Sequence, residues 1–475
     1  MSDATVIAPS TPLQKRVLLV AIVASFIAFL DGFVINLALP AISREIGGGL
    51  VIQQWVVDGY LLTLGALILL AGSLSDLFGR ARVMEWGLAG FAVTSVICGA
   101  AWSGEVLVVA RILQGIAGAL VVPSSLALIV NHFEGSAQSR AIGQWSGWTS
   151  GAAIVAPLIG GVSVDFLSWR FFFFVNVVPI ALIWPALVHL RKADTDRDPS
   201  RRVDYAGAVL AMLGLGGTVY GLIEQGRLGW QSPQVLLPLA IGVVALAAFI
   251  VYEYRAREPM LPMELFAIRN FGWGNIATFA IYAAFSFGFF ILGIYLQQVG
   301  GMKATIAGIA LLPATLILMF ASSFIGDLAG KYGPRWFMTG GPALCGVGFL
   351  LLLSVQSPIN YWMQVFPSQV VFGIGLAITV APLTSAILGA VPPEKAGIGS
   401  AINNAVARIA GLVCIAFAGI IVGPVLTTQG LYQAAVVTAV LLFVGAAASA
   451  VGIRNPVPET GTTTAGGAGA VSSQP

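Results

Sequence analysis

Apolar residues in this chain come in long runs of about twenty, the length a helix needs to cross the hydrocarbon core of a bilayer. Fourteen such runs can be drawn, over approximately 17–40, 52–72, 82–102, 105–130, 140–163, 170–190, 205–225, 234–254, 272–297, 304–326, 336–355, 361–387, 399–424 and 431–453. In lipid each span must satisfy its own backbone polar groups, so the runs are helices rather than strands. An even number of spans puts both termini on one side of the membrane.

The polar stretches between the runs test that count. Loops alternate sides, and basic residues concentrate on the cytoplasmic one. One side collects Lys15, Arg16, Arg80, Arg82, Arg140, Arg191, Lys192, Arg197, Arg201, Arg202, Arg255, Arg257, Arg269, Lys331, Arg335, Lys395 and Arg454. The other side holds Arg44, Arg170, Arg227 and Lys303, while Arg111 and Arg408 fall inside spans, which accounts for all 23 basic residues. A miscounted early helix would scramble this segregation. The expected protein is therefore a multi-pass protein of the inner cell membrane, with both termini cytoplasmic.

Composition agrees and excludes other classes. Of 475 residues 58% are hydrophobic and 9% charged, against roughly 25% charged in a soluble domain. A formal charge of +3 is too small for a nucleic-acid binder. Cys98, Cys345 and Cys414 lie far apart inside apolar runs and read as small packing residues. His132 and His189 sit at helix ends, so no metal site is visible. A polar start with Lys15 and Arg16 leads straight into a full-length span, which fits a retained anchor better than a cleaved signal.

A faint repeat divides the chain. The stretch Gly72-Ser-Leu-Ser-Asp76-Leu-Phe-Gly79-Arg80 after the second run returns as Gly326-Asp-Leu-Ala-Gly330-Lys-Tyr-Gly333-Pro334 after the tenth. The copies are eight helices apart. Two six-helix halves with an extra pair between them explain that spacing. The expected division is a first bundle over 1–192, a linker with two extra helices over 193–267, a second bundle over 268–455 and a disordered tail over 456–475.

The chemistry is carried by few residues. Arg111, in Arg111-Ile-Leu-Gln114-Gly115-Ile-Ala-Gly118-Ala119, lies about seven residues or 10 Å inside the outer end of its span. A cation at that depth costs on the order of 2.5–3.5 kcal/mol by insertion scales and calls for a cavity or a carboxylate. Two acids reach a similar level. Asp31, in Leu30-Asp31-Gly-Phe33-Val-Ile-Asn36-Leu-Ala38-Leu39-Pro40, lies about nine residues below the outer end. Asp58, in Trp55-Val-Val-Asp58-Gly-Tyr60, lies about six residues in from the same side. An aspartate beside Arg111 ionises easily, and one in a dry pocket holds its proton. Asp58 can also be a solvated acid near the interface.

In the basic loop, Gly72 would let helices approach, Asp76 would cap a helix or pair with a base, and Gly79 would permit a tight turn. Arg80 and Arg82 would anchor to the cytoplasmic face. In Gly151-Ala152-Ala-Ile-Val-Ala156-Pro157-Leu-Ile-Gly160-Gly161, Pro157 removes a backbone donor and the small residues allow tight packing.

Taken together and in this order, these motifs resemble the major facilitator superfamily, specifically its fourteen-helix drug:proton antiporter branch. The likeness covers nearly the whole chain and extends to Trp169-Arg170-Phe-Phe-Phe-Phe-Val-Asn176-Val-Val-Pro179, Asp204-Tyr205-Ala-Gly207 and Ser400-Ala-Ile-Asn403-Asn404-Ala-Val-Ala-Arg408. Phe33 stands where the branch usually has threonine, and Ala152 and Ala156 where it has glycines. The resemblance implies an all-α membrane fold of fourteen helices working by alternating access. It makes Asp31 the proton carrier with Arg111 and Asp58 as coupling residues, and Asn36, Gln114 and Gly115 candidates for the substrate cavity. Gly72, Asp76, Gly79, Arg80 and Arg82 would form a gating loop, and Ala156, Pro157, Gly160 and Gly161 an antiporter motif.

The function expected is proton-driven export of small amphipathic, often cationic drugs or antibiotics by a monomer. No cofactor beyond the proton gradient is called for, and the partners are substrate, protons and lipid. Export of one self-made metabolite shares every motif, and proton-coupled import is a more distant rival. A membrane enzyme or receptor would need a nucleotide-binding loop, a metal cluster or a nucleophile elbow, and none is present.

Overall fold

A computed structural model describes residues 11–193, 203–257, 259–392 and 395–455. Within them lie fourteen helices long and apolar enough to span a membrane. The first six are α1 (Pro12–Ile46), α2 (Gly49–Phe78), α3 (Arg80–Gly99), α4 (Gly104–His132), α5 (Arg140–Leu167) and α6 (Trp169–Lys192). Next come α7 (Tyr205–Leu228) and α8 (Pro233–Arg255). The last six are α9 (Arg269–Gln298), α10 (Ala304–Tyr332), α11 (Arg335–Ser354), α12 (Tyr361–Leu388), α13 (Ala396–Val422) and α14 (Thr428–Gly452). The expected basic residues Arg197, Arg201 and Arg202 and the tail from Pro456 lie outside the described residues.

Several helices outrun their apolar cores because their ends are built from polar signals. α1 begins five residues before its apolar run: Pro12 opens it, the Thr11 hydroxyl accepts from the Gln14 amide, and the Gln14 side chain accepts from the Thr11 amide. That reciprocal cap contributes about 1 kcal/mol. α2 likewise continues through Gly72 and Asp76, so most of the expected gating loop is the last two turns of a helix. The chain turns only at Gly79, with φ 97°. Its counterpart in the second half turns at Gly333, with φ 83°. Both are left-handed positions that favour glycine.

The face where α1 begins and α14 ends is called the terminal face below. α7 and α8 pack tightly on each other, since a Cβ at Gly214 would lie 2.8 Å from the Leu246 side chain. The pair docks on α2, where the Trp55 indole donates to Glu224 at 2.8 Å and stacks obliquely on Tyr220 at 5.9 Å. Leu62 and Ala66 of α2, Leu412 and Ala416 of α13 and Ala211, Leu215 and Val219 of α7 form one apolar cluster there. Only 17% of α8's apolar window is buried, against 78% of α9's. α8 therefore offers its surface to lipid, and α9 lies at the centre.

Two seams join the first six helices to the last six. In one, Gln54 of α2 donates to the carbonyls of Ile415 and Ala416 on α13 at 2.8 and 3.1 Å. In the other, α5 meets α10 away from the terminal face. A Cβ at Gly308 would lie 2.8 Å from Pro157 Cβ, and one at Gly161 would strike the Thr305 backbone. Asp165, in a π-helical turn at the end of α5, closes this seam. Its two oxygens accept from the Ala304 and Thr305 amides at 3.0 and 2.9 Å, at the start of α10. A carboxylate at a helix N-terminus is favoured both by the orphan amides and by the helix dipole. Toward the terminal face the same helix is loose: Cβ atoms at Gly143, Gly147 and Gly151 would meet nothing within 4 Å. The seam is tight at one end and open at the other.

That asymmetry is testable. Pro157→Cys combined with Gly308→Cys, in a background with Cys98, Cys345 and Cys414 replaced by alanine, should cross-link under mild oxidation. Failure of that pair to cross-link would contradict the closed seam.

Candidate functional site

Arg111 and Asp31 meet in the interior of the first bundle, both 0% exposed. Arg111 Nη1 donates to Asp31 Oδ2 at 2.5 Å. α4 can present the arginine this deep because α2 lies almost against it. A Cβ at Gly115 would collide with the Tyr60 carbonyl and Thr63 hydroxyl, and one at Gly59 would sit 3.3 Å from Ile112. The Thr63 hydroxyl donates across to the Ile112 carbonyl at 2.7 Å.

The guanidinium is held from several sides. Its Nε donates to the Val56 carbonyl at 3.0 Å, and Nη1 also donates to Gln114 at 2.8 Å. The Tyr60 ring lies 4.4 Å from its centre and that of Phe173 6.0 Å. These aromatic faces partly offset an Nη2 that has no hydrogen-bond partner among the described residues.

Asp31 is surrounded by donors. Besides Arg111, its Oδ1 accepts from Gln114 Nε2 at 3.3 Å and from Asn176 Nδ2 at 3.1 Å. Gln114 also donates to the Ser95 hydroxyl at 2.9 Å and accepts from the Cys98 thiol at 3.6 Å. Three donors thus converge on the carboxyl group, and no acceptor is among its partners in the described residues.

The remaining expected residues are placed differently. Gln114, expected to line a substrate cavity, is 0% exposed and belongs to the ion-pair network. Three residues from Arg111 on one helix, it shares that face. Gly115 is the close-approach point between α2 and α4. Asn36 is half-buried on α1 and donates to the Gly32 carbonyl at 3.2 Å. Asp58 does not join Asp31 and Arg111. It is 0% exposed, with neither oxygen hydrogen bonded among the described residues, and it neighbours Cys414 on α13. Phe33 is 45% exposed.

At the end of α2, Asp76 pairs with Arg80 one turn later at 3.4 Å, while Arg82 is half-buried. Gly72 allows no close helix contact in this conformation, since a Cβ there would meet nothing within 4 Å. Of the expected antiporter motif, Ala152 and Ala156 are buried, a Cβ at Gly160 would lie 2.6 Å from the Val34 side chain of α1, and Pro157 and Gly161 lie at the α5–α10 seam. A shallow groove of about 520 Å³ near Phe266, Trp273, Phe279 and Val406 lies away from the ion pair and has no charged lining residue.

Asn176, Ser95 and Asp165 were not singled out for these roles. The signal for Asn176 was present: an amide inside an aromatic run needs a buried partner. Ser95 and Asp165 act through neighbours far away in sequence, which no local pattern reveals.

Fourteen membrane-length helices with a fully buried ion pair among them, all within the described residues, define a multi-pass membrane protein. The chain belongs to the Major Facilitator Superfamily, whose sequence profile matches residues 21–415 and 315–475. It is 33% identical over 410 residues to the methylenomycin A resistance protein of Bacillus subtilis (strain 168), covering 86% of this chain and 87% of that one. The tetracenomycin C resistance and export protein of Streptomyces glaucescens is 33% identical over 426 residues, 87% of this chain and 77% of the relative. The multidrug resistance protein Stp of Mycobacterium tuberculosis (strain CDC 1551 / Oshkosh) is 33% identical over 397 residues, 83% and 73% of the two chains. Among solved structures, a POT family transporter in complex with a thioalcohol-conjugated peptide superposes with a TM-score of 0.70 over 91% of this chain and 95% of that one. At 12% identity that likeness concerns the fold alone.

Removing one member of the buried pair should be costlier than removing both. Asp31→Ala should destabilise the solubilised protein by about 3–5 kcal/mol, because it strands the guanidinium. Asp31→Ala with Arg111→Leu should recover part of that loss. Thermal denaturation of the three proteins checks this, and additive losses would contradict it.

Proposed function

We propose that this protein exports small amphipathic molecules, drugs or antibiotics among them, in exchange for protons. The observation that carries the reading is the buried Asp31–Arg111 pair with its donors Gln114 and Asn176. Proton exchange needs an acid whose ionised form is stabilised in one conformation and not in another. In the conformation described, Arg111, Gln114 and Asn176 all favour the anion. Protonation of Asp31 would cancel the ion pair and leave Arg111 uncompensated, shifting the population toward conformations that do not depend on this network. Asp58 stands outside the network and takes no step in this scheme.

Helices α1–α6 and α9–α14 act as the rocking bodies, with α7 and α8 riding beside α2 and α13. The basic residues identify the terminal face as cytoplasmic. The seam closed by Asp165 and Gly161 is then the outer gate, and the loose end of α5 faces the cell interior. Asp76, Arg80 and Arg82 would lock the cytoplasmic side in the opposite conformation. The protein works as a monomer in the inner membrane. Relatives named for resistance and export support the outward direction. Several of them are named for a single antibiotic, which favours a second reading in which one compound is the dedicated cargo.

The expected preference for cations would need an accessible acid, and neither intramembrane aspartate is one in this conformation. Both Asp31 oxygens are occupied by donors, and Asp58 is closed off.

Asp31→Asn keeps the size of the side chain and an oxygen acceptor. In everted vesicles from an efflux-deficient host, it should reduce proton-driven export at least tenfold for any compound the wild type exports. Gradient-sensitive efflux at the wild-type rate would sink the proposal.

A further inference from the structure

Arg408 lies near the midpoint of α13 and belongs to none of the networks above. It is half-buried, and its guanidinium sits 5.4 Å from the Phe29 ring of α1. Tyr60 of α2 and Tyr282 of α9 are its electrostatic neighbours. A Cβ at Gly65 of α2 would lie 3.5 Å from Arg408 Cβ, so its helix runs against the first bundle at this level. Helices of both halves therefore converge on this one side chain. Among the described residues, no carboxylate forms an ion pair with it.

A cation at mid-membrane depth without a counter-charge is costly, and such residues mark substrate or ion paths. The aromatic ring at Phe29 offsets only part of that cost. The other intramembrane charges cannot serve a substrate in this conformation: Arg111 and Asp31 are 0% exposed and engaged with each other, and Asp58 is 0% exposed. About one turn toward the terminal face, Asn404 is exposed, and Asn403 bonds to Thr278 and Asn275 of α9 at 2.8 and 3.2 Å. Asp58, also without a hydrogen-bond partner among the described residues, is closed off, so the accessible charge where α2 and α13 meet is positive, planar and flanked by rings.

We propose that Arg408 selects the charge of the cargo, and that the transported class is amphipathic anions: aromatic carboxylates, sulfonates and phenolates. The guanidinium fork pairs through two N–H groups with a carboxylate or sulfonate and through one or both with a phenolate oxygen, and the aromatic body of the cargo packs against Phe29 and Tyr282. This rests on the export reading above, but it is tested by equilibrium binding without a gradient, so the two can fail separately.

The test uses two dyes with one xanthene scaffold and opposite charge, fluorescein and rhodamine 6G. Their binding to the purified full-length protein in lipid nanodiscs is read by fluorescence anisotropy. The wild type should bind fluorescein at least tenfold more tightly than rhodamine 6G. Arg408→Gln should weaken fluorescein binding at least tenfold with little effect on rhodamine 6G. Arg408→Lys, which keeps the charge without the planar fork, should fall between. Equal or tighter wild-type binding of rhodamine 6G, or no saturable binding of fluorescein, would overturn the proposal. So would unchanged fluorescein binding by Arg408→Gln. If Arg408→Gln does not fold, the wild-type preference and the Lys variant still decide.

Discussion

The arrangement of the first bundle is governed by one constraint: two full charges, Asp31 and Arg111, buried away from both water and lipid. Neither is tolerable alone at that depth, where an uncompensated ion costs several kcal/mol. Their mutual attraction is not enough unless the remaining donors and acceptors are also satisfied. Much around them follows from that requirement. Gly59 and Gly115 bring α2 against α4, so that the Val56 carbonyl reaches Arg111. Gln114 bridges both members of the pair, and Asn176 arrives from α6 to complete the carboxylate.

The second constraint is mechanical. Each seam between the halves is closed by backbone-level contacts, with small residues where helices cross and polar groups that satisfy helix ends. Asp165 caps the start of α10 across one seam, and Gln54 serves the carbonyls of Ile415 and Ala416 across the other. Such contacts are either made or broken, because packed small-residue interfaces have little room for intermediate distances. At the other end of α5, Cβ atoms at Gly143, Gly147 and Gly151 would meet nothing within 4 Å among the described residues, so no such contact is made there.

Much of this was legible in the sequence because the membrane simplifies the problem. Run length fixed the helix count, and the depth of Asp31 and Arg111 brought them to one level before any coordinates. Helix ends were less legible, since capping residues such as Thr11 and Gln14 extend a helix beyond its apolar core. Depth also says nothing about rotation. Asp58 shares a level with Arg111, yet it is the nearby Val56 that offers Arg111 a carbonyl, while Asp58 lies beside Cys414 of α13. Gln114 was assigned to a cavity, although its spacing from Arg111 places both on one face. Gly72, expected at a close helix approach, makes none here, because a Cβ on it would meet nothing within 4 Å among the described residues.

The central claim is that proton occupancy of Asp31 sets which face is closed. Spin labels at Arg44→Cys and Lys303→Cys, both exposed, in a background without the native cysteines, would report the distance across the face opposite the termini by pulsed electron resonance. The distance distribution of the protein with Asp31 intact should shift as pH is lowered, and Asp31→Asn should abolish that shift. The same pH dependence with and without Asp31 would contradict the account.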